Sequence, residues 1–331
     1  MTSILTNASA MTALQSLRAT NKQLEATQGR ISTGLRVAEA SDNAAYWSIA
    51  TTMRSDNKAL SAVQDSLGLG ASRVDTAYTA MKSAVDLVDA IKAKLVAAIG
   101  ASESDKAKIE TELGELQKQL KFVADAATFS GANWLSVDSS TANGHAAAGV
   151  HDGASIVSAF NRSSTGEVTL GRIEIDVQSI KLFDAAATTA ANQGIVEGLR
   201  LGTSGDRDNT ATAAVAGTVA ATDGYSVYTL TVVGFLDEQI EQMLSVADST
   251  LADLTDASAA IGAAKSRVSI QQSFTSSLMD SIDRGIGQLV DADMSKESTR
   301  LQALQVQQQL GMQALSIANS NAQNVLTLFR Q

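Results

Sequence analysis

From Leu60 onward, apolar or small side chains return at alternating three- and four-residue steps: Val63, Leu67, Gly70, Val74, Ala77, Met81, Ala84, Val88, Ile91 and Leu95. An unbroken seam of that spacing sets one face of a long helix against a partner along its whole length, a pattern that neither a strand nor a loop produces. With Ser41 or Asp42 as N-cap and Gly100 as terminator, the helix covers roughly residues 43 to 99, about 85 Å at 1.5 Å per residue. The Gly68-Leu69-Gly70 stretch lacks the third glycine and the preceding strand of a dinucleotide site and reads as a helix irregularity.

The same period fills much of the remaining chain. Ser102 followed by Asp105 opens a second helix with the seam Ile109, Leu113, Leu116, Leu120 and Val123, and Lys106–Glu110 and Lys108–Glu112 are expected on its wet face. A third ladder begins at Ile240, Leu244, Ala247, Leu251, Leu254, Ser258 and Ile261 and continues, shifted by one residue, to Ile282. The ends are periodic through Ala10, Leu14, Leu17, Asn21, Leu24, Gln28, Ile31 and Leu35, and through Leu301, Leu304, Gln308, Gly311, Leu315, Ala318, Ala322, Val325 and Phe329. Asn21, Gln28 and Gln308 are polar rungs in apolar stripes, the kind of residue that fixes register at some cost in stability. From about residue 137 the helical period is lost in a Gly-, Ser- and Ala-rich stretch; EVTLGRIEIDV (167–177) and YSVYTLTVV (225–233) then alternate as strands do.

Composition agrees with a helical chain and narrows its chemistry. There are no prolines in 331 residues, so no ring interrupts a helix; this fits a simply helix-rich composition and equally a protein that must refold quickly after passing through a narrow channel, since slow prolyl isomerisation is removed. There are also no cysteines, which removes disulfides, thiolate nucleophiles and Cys-based zinc sites. A net charge of −10 without clustered Lys and Arg argues against a nucleic-acid partner. No stretch is long enough for a membrane span, and no Sec-type leader is visible. His145 and His151 read as surface-loop histidines, no Walker motif, nucleophile elbow or histidine-centred triad can be assembled, and neither catalysis, a cofactor nor a metal is expected.

Residues 301–329 pass without one charged side chain. Leu310, Met312, Ile317, Leu326 and Leu328 lie off the stripe that one partner helix would cover, while an interfacial membrane helix would carry Lys or Arg on its polar face. The two terminal helices are therefore expected to pair and then pack against copies from other chains.

Two segments carry a family likeness. GRISTGLRVAEASDNAAYWSIA (29–50) and LVDADMSKESTRLQALQVQQQLGMQALSIANSNAQNVLTLFR (289–330) resemble the terminal signatures of bacterial flagellins of the rhizobial, alphaproteobacterial kind. ATFSGANWL (127–135) resembles the point where flagellins leave their second helix, and Tyr46–Trp47 stand where many flagellins have a small residue and Leu. The resemblance implies a secreted, extracellular filament subunit, exported unfolded through the flagellar type III apparatus. Its implied partners are further copies or sister flagellins, a secretion chaperone, the filament cap and hook-filament junction proteins. The alternatives are a junction protein itself, or a secreted helical translocator or effector.

The expected fold is mainly α: a long antiparallel helical coiled-coil bundle formed by the N- and C-terminal regions, with a small β-containing outer module. Residues 1–40 and 290–331 would form the inner filament core, 41–180 and 226–289 a middle bundle with a β-hairpin, and 181–225 the outer module. Core packing falls to Leu14, Leu17, Leu24, Ile31, Leu35, Leu301, Leu304, Leu315, Val325 and Phe329, and register to Asn21, Gln28 and Gln308.

Overall fold

The computed structural model describes residues 7–163 and 165–328, with side chains described as far as residue 320. It is mainly helical: α1 (Ala8–Thr33), α2 (Ala44–Ala98), α3 (Glu103–Ala126), the single turn α4 (Val177–Ile180), α5 (Asp237–Val290) and α6 (Met294–Leu328). Short strands occupy the middle of the chain: β1 (Thr128–Phe129), β2 (Ala132–Asn133), β3 (Ser136–Val137), β4 (Ala154–Arg162), β5 (Val168–Ile175), β6 (Phe183–Asp184), β7 (Arg200–Leu201), β8 (Thr212–Ala213) and β9 (Asp223–Tyr225). The chain forms two compact units, a terminal unit of residues 1–59 with 278–331 and a central unit of residues 60–277.

In the terminal unit, α1 begins where Asn7 accepts a hydrogen bond from Ala10 N–H, and ends at Gly34, whose φ of 72° closes the helix with a bond from its N–H to Arg30 O. The periodic stripe of the sequence extends to Leu35, but the left-handed glycine stops the helix before that residue. Leu35 instead bridges Asp291 and packs with Val37, Ala50, Ile286 and Val290, the small core of this unit. The next helix starts one residue later than expected. Asn43 Oδ1 accepts from Tyr46 N–H, because Asp42 is used in the preceding loop, taking the N–H groups of Ala38 and Glu39.

The central unit carries the long seam. Leu67, Val74, Met81, Ala84, Val88, Ile91 and Leu95 of α2 are fully buried, as are Leu113 and Leu120 of α3 and Ile240, Ala247 and Leu254 of α5. Gly70 is no irregularity: α2 runs through it unbroken, and a Cβ there would lie 2.5 Å from Ile156 Cγ2 of β4. The glycine is what allows the hairpin to sit against the helix. At the start of α3, Ser102 Oγ accepts from Asp105 N–H at 3.3 Å and donates to the Asp105 carboxylate at 2.8 Å. Lys106 and Lys108 do not make the pairs expected of them. Lys106 is buried and donates to Phe235 O at 2.9 Å and to Asp237 at 3.3 Å; Lys108 pairs with Asp105 at 2.9 Å. The start of α5 covers Lys106, and Glu110 is engaged by Val232 N–H.

β4 and β5 form an antiparallel hairpin, irregular between Val157 and Ala159. β4 lies in the stretch that composition alone left without structure; its buried positions, Ile156 and Ser158, are too few and too mixed to stand out. The opposite holds for 225–233. Only Tyr225 is in a strand, and Val227–Thr229 form a 3-10 turn. Its alternation comes from packing beneath α3: Val227, Leu230 and Val232 are buried, and Gln117 Nε2 donates to the carbonyls of Val227 and Leu230.

Candidate assembly surface on the terminal helices

α1 and α6 pack along each other in opposite directions. Asn7 Nδ2 donates to Ala318 O at 2.9 Å, Gln308 Nε2 donates to Asn21 Oδ1 at 2.8 Å, and Arg30 pairs with Glu297 at 3.4 Å. Two of the polar rungs, Asn21 and Gln308, thus meet. This matters energetically because sliding one helix by a turn would leave both half-buried amides without each other. A Cβ on Gly311 would come within 3.2 Å of Leu17 Cδ1, so the glycine lets the helices close at that rung.

The packing residues divide by burial. Leu304 is buried; Leu17, Leu24, Ile31, Leu35, Leu301 and Leu315 are half-buried; Leu14 remains 38% exposed. Gln28 is exposed, and the seam position beside it is filled by Thr27, which is buried. Glu297, also buried, was missed as a seam residue because a carboxylate in a first helical turn reads as a dipole partner. The side chain of Val325 and the whole of Phe329 lie outside the described residues.

α6 has a second stripe. Val306, Leu310 and Ile317 are 55%, 58% and 62% exposed. At 3.6 residues per turn they lie within about 20° of the direction opposite Gln308. Their four- and seven-residue separations are those of a coiled-coil seam. Met312 on α6 and Met11 on α1 are also more than half exposed, and Tyr46, Trp47 and Ile49 are exposed at the start of α2. An isolated chain therefore shows water a seam-spaced apolar ridge on the back of a helix whose front is already taken, an arrangement that a soluble monomer does not keep without use.

Among the described residues, no group of three or more metal-ligating side chains occurs, and no helix is long and apolar enough to cross a membrane. The surface offers packing. The bacterial flagellin N-terminal helical region matches residues 4–140, and the bacterial flagellin C-terminal helical region matches residues 244–329. This chain belongs to the bacterial flagellin family. It is 49% identical to flagellin C of Rhizobium meliloti (strain 1021) over 339 residues, with 100% of both chains covered. Flagellin of Brucella melitensis biotype 1 is 46% identical over 330 residues, and flagellin A of Rhizobium meliloti (strain 1021) is 43% identical over 403 residues, again with 100% of each chain covered.

This flagellin is a structural subunit that self-assembles into the flagellar filament for motility. The two matched regions contain α1, α2, α3 and α6 and most of α5, while β4 to β9 lie between them.

Proposed function

We propose that the α1–α6 pair forms the inner layer of the filament and that the back of α6 packs against the terminal helices of neighbouring copies. Residues 1–40 with 290–331 supply this layer, 41–180 with 226–289 the middle layer, and 181–225 the outermost module. Leu17, Leu24, Ile31, Leu301, Leu304 and Leu315 hold the pair together, Leu35 packs at its base in the chain's own small core, and Leu14, Val325 and Phe329 complete the packing in the polymer. Asn21 and Gln308 set the register between the helices; Gln28 does so between copies. The observation that carries this reading is the exposed ridge of Val306, Leu310 and Ile317. Covering a Val, Leu or Ile side chain contributes roughly 1.5–3 kcal/mol, so a ridge of three, already partly shielded, supplies a few kcal/mol per copy before ordering costs.

The same reading places the protein outside the cell, delivered unfolded through the flagellar export apparatus. A chaperone would cover the apolar α6 beforehand, a cap would hold subunits at the growing tip, and junction proteins would join the filament to the hook. The absence of proline and cysteine supports rapid refolding after export.

The test is seeded growth of full-length flagellin carrying Leu310→Glu and Ile317→Glu. Both side chains are exposed in the single chain, so its thermal unfolding should stay at the wild-type value while filament growth on wild-type seeds stops. Elongation at the wild-type rate would overturn the proposal.

A further inference from the structure

The only two histidines of the chain, His145 and His151, are not loose surface residues. Their rings lie against each other at a 43° tilt with centroids 4.3 Å apart, in the loop that leads from β3 to β4. The loop is pinned at Gly149. That residue's N–H donates to Ser139 O, and its carbonyl accepts from Lys181 Nζ at 2.8 Å and Gln178 Nε2 at 3.3 Å. Lys181 in turn is ion-paired with Asp184, both side chains being buried. Gln178 Oε1 accepts from His151 N–H at 2.9 Å.

The ring nitrogens close the loop on itself. His151 Nδ1 accepts from Gly153 N–H at 3.1 Å, and His145 Nδ1 faces Asp152, whose N–H and carboxylate both lie 3.4 Å away. The Gly153 contact uses the Nδ1 lone pair of His151, which leaves the proton of that neutral ring on Nε2. A second proton on His151 turns the acceptor of the Gly153 bond into a donor facing a donor, beside another imidazole and near Lys181.

We propose that the histidine pair is an acid-released latch: protonation of His151 frees residues 138–153 from their seat on Lys181 while the helical bundle stays folded. The direction agrees with the surroundings. Burial holds the His151 imidazole below its ordinary value, helped by His145 and Lys181 and opposed by Asp152 and Asp184. The open loop therefore takes up the proton first. Closure is at full strength above the ordinary histidine value of about 6.5 and is lost as pH falls through it toward the lower folded value. Asp184, buried against Lys181 and hydrogen-bonded by Ser139 N–H, is held below the ordinary carboxylate range, so the seat itself persists through this window.

The experiment is hydrogen exchange on the full-length chain at pH 7.5 and 5.0, corrected for intrinsic rates, with wild type and His151→Asn. Asparagine Oδ1 stands where Nδ1 does and keeps an acceptor for Gly153 without titrating. Wild type should lose at least tenfold protection across 138–153 at the lower pH while α2 and α5 keep theirs, and the variant should not. Equal wild-type protection at both values, or the same loss in the variant, would overturn the latch. If His151→Asn does not fold, imidazole nitrogen NMR on wild type decides. Titration of His151 below 6.5 from the Nε2–H tautomer, with the loop amides following it, supports the latch; titration at or above 6.5, or unmoved amides, refutes it.

Discussion

The terminal and central units are built from the same kind of sequence, helices with apolar stripes at three- and four-residue spacing, yet they end in opposite conditions. In the central unit the α2 stripe is buried wholly by its own chain, and Leu67, Ile91 and Leu95 have no exposure. In the terminal unit the α1 and α6 stripes are mostly half-buried, the compact core is four residues, and a second ridge on α6 faces water. A heptad-like pattern therefore says that a helix has a partner; it does not say whether that partner is in the same molecule. The difference lies in supply: the central unit has α2, α3, α5 and the hairpin to close around one seam, whereas each terminal helix has one principal partner.

The largest effect that would break this contrast is loss of assembly. Removing residues 301–331 should leave a monomer with a cooperative central-unit transition by calorimetry; fibres from that truncation, or loss of the transition, would erase the distinction. Next come the ion pairs. Asp184→Asn strands the buried Lys181 ammonium and should cost about 3–5 kcal/mol by chemical denaturation. Glu297→Gln, opposite an Arg30 side chain that is 31% exposed, should cost about 1 kcal/mol or less. Asp184 also sets an acid limit: burial works against its charge, but Lys181 and the Ser139 and Ala186 N–H groups outweigh it and hold its carboxyl below the ordinary range. Its contribution is present above the ordinary value of about 3.9 and disappears as pH falls through the lower folded value.

Core truncations sharpen the same comparison at smaller scale. Leu67→Ala should destabilise the monomer by about 2–5 kcal/mol, while Leu17→Ala, half-buried, should cost the monomer about 1 kcal/mol and show its larger penalty as a raised critical concentration for growth. Asn21→Ala, which leaves the Gln308 amide without its partner, should cost about 1 kcal/mol and shift the helical form of filaments seen by electron microscopy.

Much of this architecture was legible because helical period and capping chemistry are local. The α2 seam, the Ser102–Asp105 cap and the Gly100 terminator depend on residues a few positions apart. Asn21 and Gln308 could be named from each stripe alone, although only the antiparallel register brings them together. What escaped depended on distant partners. Lys106 reads as a wet-face lysine until the start of α5 supplies Phe235 O and Asp237; Thr27 displaces Gln28 from the seam through the crossing with α6; β4 is disguised by Ala and Ser; Gly70 makes sense only with Ile156 above it. The histidines, six positions apart in a stretch with no helical or strand period, are joined by turns whose geometry composition does not encode.

The claim that other copies cover what the terminal helices expose is tested most directly by oxidative footprinting of methionines, compared between monomer and filament. Met11 and Met312 are 65% and 52% exposed in the single chain, whereas Met81 is buried. Met11 and Met312 should oxidise readily in the monomer and at least tenfold more slowly in the filament, with Met81 protected in both. Unchanged rates at Met11 and Met312 on polymerisation would contradict the account.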